Sequence, residues 1–500
     1  MTRPCDLTAV EARDRIASGE LSPVELLESC LTQTDLIDPA VNAMVIRADA
    51  RARAESLEAE AAVRRGDALG PLHGIPVAIK DLQPTEGIVT TFGSIDFADN
   101  VPTEDAGIVD KIRRAGGIVV GKTNIPEFSI GANTINRLFG ATGNPFDPSR
   151  TCGGSSGGSA VALATNMVPL ATGSDHGGSL RIPACYCGVV GHRSSPGVVP
   201  HEARTTAQTF YSVQGPMGRT VADTALLLSV IAGRNTLDPM SFPLDAPALA
   251  ALEAVDLSQL RVGITADLGG VLVSKSIRST FADRVARLRP LVGSVVEVPI
   301  DLTSASEVDW RLRSDVFVSQ YHRDAESWDA GFNPNIRATY ESALQTPMEE
   351  IAKARRQQVD LYRAFQHLYA DVDVVICPGV SVSPFPWRDL FPRHVDDAPV
   401  GNYMAWLALT AAITVIGHPV TALPCGCDDQ GLPFGLQLIG PMYGDHRVLS
   451  IAAALEAALA TDPVTSRPVA DLDRLARAGA GPLATDLREG GRIAATNAAR

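Results

Sequence analysis

Two glycine-serine clusters constrain this chain more than any other feature. They are Thr151-Cys152-Gly153-Gly154-Ser155-Ser156-Gly157-Gly158-Ser159 and Gly173-Ser174-Asp175-His176-Gly177-Gly178-Ser179-Leu180-Arg181. Glycine loses much freedom in regular structure, so this density implies unusual dihedrals or close backbone approach. Each cluster leads into a helical stretch, at 159–165 and at 179–185, and the apolar run 168–172 lies between them. Strand, glycine turn and helix recur from 75 to 230. The runs 75–79, 118–120 and 189–190 alternate with helices at 105–114 and from Thr220 to Gly233. Runs at 260–264, 295–298, 372–377 and 420–423 continue the pattern. It predicts an α/β fold, a sheet covered by α-helices on both faces.

The first 66 residues read as N-terminal helices that pack on the core. Thr8 with Glu11 and Ser22 with Glu25 fit capping boxes, and Pro23 takes the favoured first helical position. A charged helix at 48–65 stops at Gly66. Residues 303–370 read as mostly helical and carry Trp310, Tyr321, Trp328, Tyr340 and Tyr362. From 462 to 500 the chain is rich in Ala, Gly and Arg and reads as a C-terminal surface tail. Length alone allows roughly three domains. No repeat and no linker divides 67–461, so one large domain is expected there.

With 43 Lys+Arg against 57 Asp+Glu, the net charge is −14. So acidic a chain has no overall attraction for nucleic acid or an anionic membrane. No apolar run approaches the ~20 residues of a membrane span, and the start lacks the apolar segment of a signal peptide. Eight cysteines are too few for a disulfide scaffold. The expectation is a soluble cytoplasmic protein with reduced thiols.

Ser179 opens a helix beside the backbone N–H groups of His176, Gly177 and Gly178. Those donors could hold an oxyanion while the Ser179 hydroxyl attacks a carbonyl. The plainer alternative is that the serines only cap helices, and Ser159 is read that way. A serine nucleophile needs a base. No G-x-S-x-G elbow is present, and His176, in the same tight loop, is read as lining the site. Lysine can serve if burial leaves it neutral. Only five of the 43 cations are lysines. Lys80 ends the apolar run 75–79, where α/β sites form; the alternative is an exposed strand-end lysine.

Gly116-Gly117-Ile118-Val119-Val120-Gly121-Lys122-Thr123 matches a phosphate-loop pattern. Its β-branched centre prefers a strand, and Pro126 follows too soon for the required helix. A nucleotide-binding module on this loop is the weakest reading. Cys185 with Cys187 and Cys425 with Cys427 are spaced too closely for an ordinary zinc site, so no metal is expected.

Six segments in order resemble the amidase signature family, over residues 8–456. They are 71–81 with Lys80, then Gly121-Lys122-Thr123-Asn124 with Glu127-Phe128, the cluster from Gly153 to Ser159, and the cluster from Gly173 to Arg181. Gly215-Pro216-Met217 with Arg219-Thr220-Val221-Ala222-Asp223 follows, and then 431–440. The resemblance implies one mixed sheet wrapped by helices and a Ser-Ser-Lys triad. Ser179 would be the nucleophile, Ser155 the bridge and Lys80 the ultimate base, with a cis peptide before Ser155. Ser156, Asp175 and Arg181 would support them.

The implied reaction is hydrolysis of acyl C–N bonds in small-molecule amides, or hydrazides, through an acyl-enzyme. No cofactor is implied, and a homodimer is. The 303–410 region would build the substrate pocket. The alternative within the family is a transamidating subunit that releases ammonia from glutamine for a partner. Two departures from the family pattern stand out: His176, and Gly191-His192-Arg193-Ser194 in place of a segment usually carrying lysine and proline.

Overall fold

A computed structural model describes residues 3–479. Eleven strands form its main sheet: β1 (Met44–Arg47), β2 (Pro76–Lys80), β3 (Ile118–Thr123), β4 (Leu170–Asp175), β5 (Val190–Arg193), β6 (Val213–Gly218), β7 (Arg261–Ile264), β8 (Ser294–Glu297), β9 (Val374–Pro378), β10 (Val420–Cys427) and β11 (Pro433–Ile439). Their spatial order is β1-β3-β2-β4-β6-β5-β10-β11-β9-β7-β8. The β2/β3, β2/β4, β7/β9 and β7/β8 pairs are parallel and the others antiparallel, so the sheet is mixed. Every residue of β2, β3, β6 and β11 is buried. Successive strand residues point to opposite faces, so unbroken burial means that both faces are covered.

The N-terminal helices are α1 (Ala9–Ala17), α2 (Pro23–Val41) and α3 (Asp49–Arg65). Both expected capping boxes form, and Gly66 closes α3 at φ 75°. This region also supplies something the sequence reading lacked: β1, which pairs with β3 at the edge of the main sheet. The N-terminal helical region is therefore part of the sheet, through β1, as well as packed on it. The phosphate-loop pattern is spent on β3, a buried strand between β1 and β2. A Cβ on Gly121 would lie 2.1 Å from the Ile46 carbonyl oxygen, which explains the glycine. No loop is left there to wrap a phosphate, which overturns the nucleotide-binding alternative.

The remaining helices are α4 (Gly107–Arg114), α5 (Gly157–Ala164), α6 (Arg181–Cys187), α7 (Val221–Ile231), α8 (Lys275–Leu288), α9 (Ala305–Tyr321), α10 (Pro334–Leu344), α11 (Met348–His367), α12 (Ala408–Ile416), α13 (Asp445–Leu459) and α14 (Leu472–Ala478). Over 462–479 the expected surface tail lies mostly at the surface but is docked on the body of the protein. There α14 packs against α2, Leu475 is buried, and Arg467 Nε donates to the Gly188 carbonyl at 2.8 Å. Leu472 and Leu475, three apart on one helix face, supply the apolar stripe that average composition hid. The rest of the expected tail, 480–500, lies outside the described residues. Among the described residues, no helix is long and apolar enough to cross a membrane.

Candidate active site

Strands β2 and β4 run parallel side by side, and their C-terminal ends define the site. Lys80 is the last residue of β2, with no exposed surface. Its backbone N–H donates to Thr172 Oγ1 on β4 at 2.9 Å. Its Nζ touches three hydroxyls: Ser155 at 2.7 Å, Ser174 at 2.8 Å and Ser156 at 3.0 Å. Burial holds the Lys80 pKa well below the ordinary lysine value, and the charge of Asp175 only partly opposes this. No carboxylate is hydrogen-bonded to the amine among the described residues, so no counter-ion is in contact to stabilise an ammonium.

The first cluster delivers Ser155 and Ser156 just ahead of α5. The Gly154–Ser155 peptide is cis. Ser156 Oγ donates to the Ser174 carbonyl and accepts the Ser174 N–H, each at 3.3 Å, which ties the two clusters together. Its own N–H donates to the Ser179 carbonyl at 3.3 Å. Ser179, half-buried, stands just before α6. The structure thus joins Lys80 to Ser155 and draws Ser179 alongside through the backbone. It places no hydrogen bond between the Ser155 and Ser179 hydroxyls.

Asp175 anchors the second cluster. Its carboxylate accepts Gly178 N–H at 2.8 Å, Leu180 N–H at 3.2 Å, Arg181 Nε and Nη2 at 3.0 Å, and Arg193 Nη1 at 3.1 Å. Burial alone would raise its pKa. The guanidinium groups of Arg181 and Arg193 overcome that and hold the carboxylate well below its usual range. Arg181 Nη1 donates to the Thr410 carbonyl at 2.9 Å and to Gln437 Oε1 at 2.8 Å, fastening the loop to α12 and β11. One expected oxyanion donor is lost here: the Gly178 N–H is taken by Asp175. Gly177 N–H has no partner among the described residues. His176 forms part of the wall, its ring stacked on Tyr211 with centroids 4.8 Å apart. Burial, then the nearby Arg313 charge, keeps its pKa well below the usual histidine value.

A small, solvent-open cavity lies over Ser179. Its walls are the 176–178 backbone, the 129–132 loop, and Arg313, Tyr403, Met404 and Leu407 from the 303–410 region. Tyr321, Trp328 and Tyr340 of that region pack instead with Phe317 and Phe332 in a separate aromatic core. Two site residues escaped the sequence reading. Ser174 was visible inside the second cluster, yet its contact with Lys80 spans 94 positions. Arg193 was noticed only as a departure from the family pattern.

Lys122 lies in a buried polar niche of its own. It donates to the Gln83 carbonyl, to Thr85 Oγ1 at 2.9 Å and to Thr90 Oγ1 at 3.1 Å. Burial lowers its pKa to about 7 against the pull of Asp81. Cys185 and Cys187 sit on α6, and Cys425 and Cys427 on β10. All four are free thiols whose pKa burial raises.

A profile of the Amidase family matches residues 25–449. The chain is 33% identical over 460 residues to an acylamidase of Rhodococcus erythropolis, covering 90% of this chain and 95% of that one. It is 34% identical over 485 residues to a glutamyl-tRNA(Gln) amidotransferase subunit from Streptomyces avermitilis, covering 90% and 95%. Among solved structures, a bacterial aryl acylamidase of the amidase signature family superposes with a TM-score of 0.83 at 26% identity, covering 95% of this chain and 98% of that one. A 6-aminohexanoate cyclic dimer hydrolase gives 0.82 at 26% identity, covering 94% and 100%. The chain belongs to the amidase signature family. It is an amidase, an enzyme that acts on amide C–N bonds.

Proposed function

We propose that this amidase works through Ser179 as nucleophile, Ser155 as bridge and Lys80 as base. One observation carries the reading: the buried Lys80 amine lies 2.7 Å from Ser155 Oγ with no acid in contact. A neutral amine has two N–H donors and one lone pair. The Ser156 hydroxyl proton already goes to the Ser174 carbonyl, so Ser156 accepts from the amine. The Ser155 hydroxyl is free to donate into the lone pair. Ser155 Oγ can then take the Ser179 proton as the Ser179 hydroxyl turns onto it, a bond of the kind that tightens once substrate is bound.

Ser179 Oγ adds to the amide carbonyl, and Gly177 N–H stabilises the oxyanion. Ser155 returns its proton to the departing nitrogen and the C–N bond breaks. Water then attacks the acyl-enzyme by the same relay, releasing the acid and free Ser179. Ser156 and Arg181 hold the relay and loop in place, with Asp175 as the hub.

A leaving nitrogen need only accept a proton, so acyl hydrazides fall within the reading alongside amides. The setting proposed is cytoplasmic, and the assembly a homodimer. The similarity to an amidotransferase component favours one second reading, glutamine hydrolysis for a partner-bound acceptor. Two experiments test these. Labelling with a fluorophosphonate, followed by peptide mapping, must place the adduct on Ser179; an adduct elsewhere defeats the triad. A panel of anilides, aliphatic amides, hydrazides and glutamine then separates the two readings, since turnover of glutamine alone favours the second.

A further inference from the structure

Helix α9 comes from the 303–410 region, and it brings a buried ion pair to the cavity wall. Arg313, 2% exposed, donates Nε to Asp309 Oδ2 at 2.7 Å. Asp309 Oδ1 accepts the Tyr211 hydroxyl at 2.8 Å. The Arg313 guanidinium lies over the Tyr211 ring, 5.3 Å from its centroid, and the same ring stacks on His176. Arg313 Nη2 then donates to the His176 carbonyl at 3.4 Å.

That carbonyl shares a peptide plane with the Gly177 N–H. In a trans peptide the two groups point in opposite directions, so a hold on one aims the other. The next plane is held at both ends: Thr410 Oγ1 donates to the Gly177 carbonyl at 2.7 Å, and Gly178 N–H donates to Asp175. Among the described residues the 176–177 plane has only Arg313 and its N–H is unpartnered, and Gly177 lines the cavity with Ser179. The fit is close. A Cβ on Gly177 would sit 2.9 Å from Arg313 Nη2, so a side chain there would displace the guanidinium.

We infer that the Asp309–Arg313 pair is a positioning element that fixes the His176–Gly177 peptide plane, keeping the Gly177 N–H aimed at the carbonyl oxygen attacked by Ser179. The inference rests on the Ser179 mechanism above and adds residues from outside the two clusters to it. A guanidinium suits the task because its planar fork bonds Asp309 and the His176 carbonyl at once; an ammonium is a single point donor.

The test measures kcat and KM of Arg313→Ala, Arg313→Lys and Asp309→Asn on an anilide that the wild type cleaves, with melting curves for each. Losing an oxyanion donor outright costs about 10²–10³ in kcat, so misaiming one should cost about 10–100-fold. KM should stay within about threefold, because the contact matters in the transition state. Added guanidinium ion should restore part of the kcat of Arg313→Ala, which a collapsed fold would not allow. A wild-type kcat in folded Arg313→Lys and Asp309→Asn overturns the inference, as does a rise in KM with kcat unchanged. Should Arg313→Ala not fold, Tyr211→Phe removes only the hydroxyl on Asp309. It must then lower kcat by about twofold to fivefold without moving KM. A wild type that cleaves no member of the amide and hydrazide panel counts against the Ser179 mechanism instead.

Discussion

Replacing Asp175 by asparagine changes one charge and almost no volume, yet it should weaken the whole site. Five donors converge on the two carboxylate oxygens: Gly178 and Leu180 N–H, Arg181 Nε and Nη2, and Arg193 Nη1. Asparagine keeps one acceptor and turns the other into a donor. Placed one way, its amide opposes Leu180 N–H and Arg181 Nε; placed the other way, it opposes Gly178, Arg181 Nη2 and Arg193. Two buried guanidinium groups then face no anion. Breaking a buried ion pair by removing one partner costs about 3–5 kcal/mol, and a fall of about 4 kcal/mol is near a thousandfold in the folded-to-unfolded ratio.

Urea unfolding followed by tryptophan fluorescence and by residual activity measures this. The two probes also test whether one transition suffices. Linkage gives a second readout. The folded carboxylate has a depressed pKa, so its contribution is fully present above the ordinary aspartate value of about 3.9 and is lost as pH falls below it. Wild type should lose stability in that acid window more steeply than Asp175→Asn. A variant within 1 kcal/mol of wild type, measured at ~pH 7, would refute the reasoning, since it would mean that the arginines are satisfied without the acid.

Ser179→Ala and Lys80→Ala should each lower kcat by at least about 10³-fold with KM little changed, read from initial rates on an anilide. Activity should fall on the acid side as Lys80 takes up a proton, and that limb, set by a pKa well below the ordinary lysine value, should disappear from the residual activity of Lys80→Ala. Lys122 is neutral in the fold above about pH 7 and charged in the unfolded chain up to about 10.4. The unfolded state therefore binds more protons across that window, and stability should rise with pH by up to about 1.4 kcal/mol per unit from this group. Lys122→Met should flatten the slope in urea titrations at successive pH values. Gly121→Ala should lower the melting temperature sharply, since its Cβ meets the Ile46 carbonyl and forces β1 off β3.

Local chemistry made much of this molecule legible from sequence. The apolar run before Lys80 gave a buried strand, and β2 is one. The capping pairs at Thr8 and Ser22 formed as read, because a cap is decided within four residues. What stayed hidden depends on distant parts of the chain meeting. Ser174 reaches Lys80 only because β4 runs beside β2, and Arg193 reaches Asp175 only because β5 and β4 flank β6 in the sheet. The Gly178 N–H looks available in the sequence because nothing there shows that Asp175, a support of the triad on the resemblance, is also the acceptor for that N–H. Met44–Arg47 is too short to announce itself as a strand between two long helices.

That short strand has a practical consequence for anyone trimming the protein. Deleting the first 66 residues would strip away more than a helical cap. It would bare the outer rim of β3 over Gly121, Lys122 and Thr123, the residues that β1 pairs, whose backbone groups would then lack a neighbour. Such a rim recruits strands from other molecules, so the shortened chain should self-associate and precipitate.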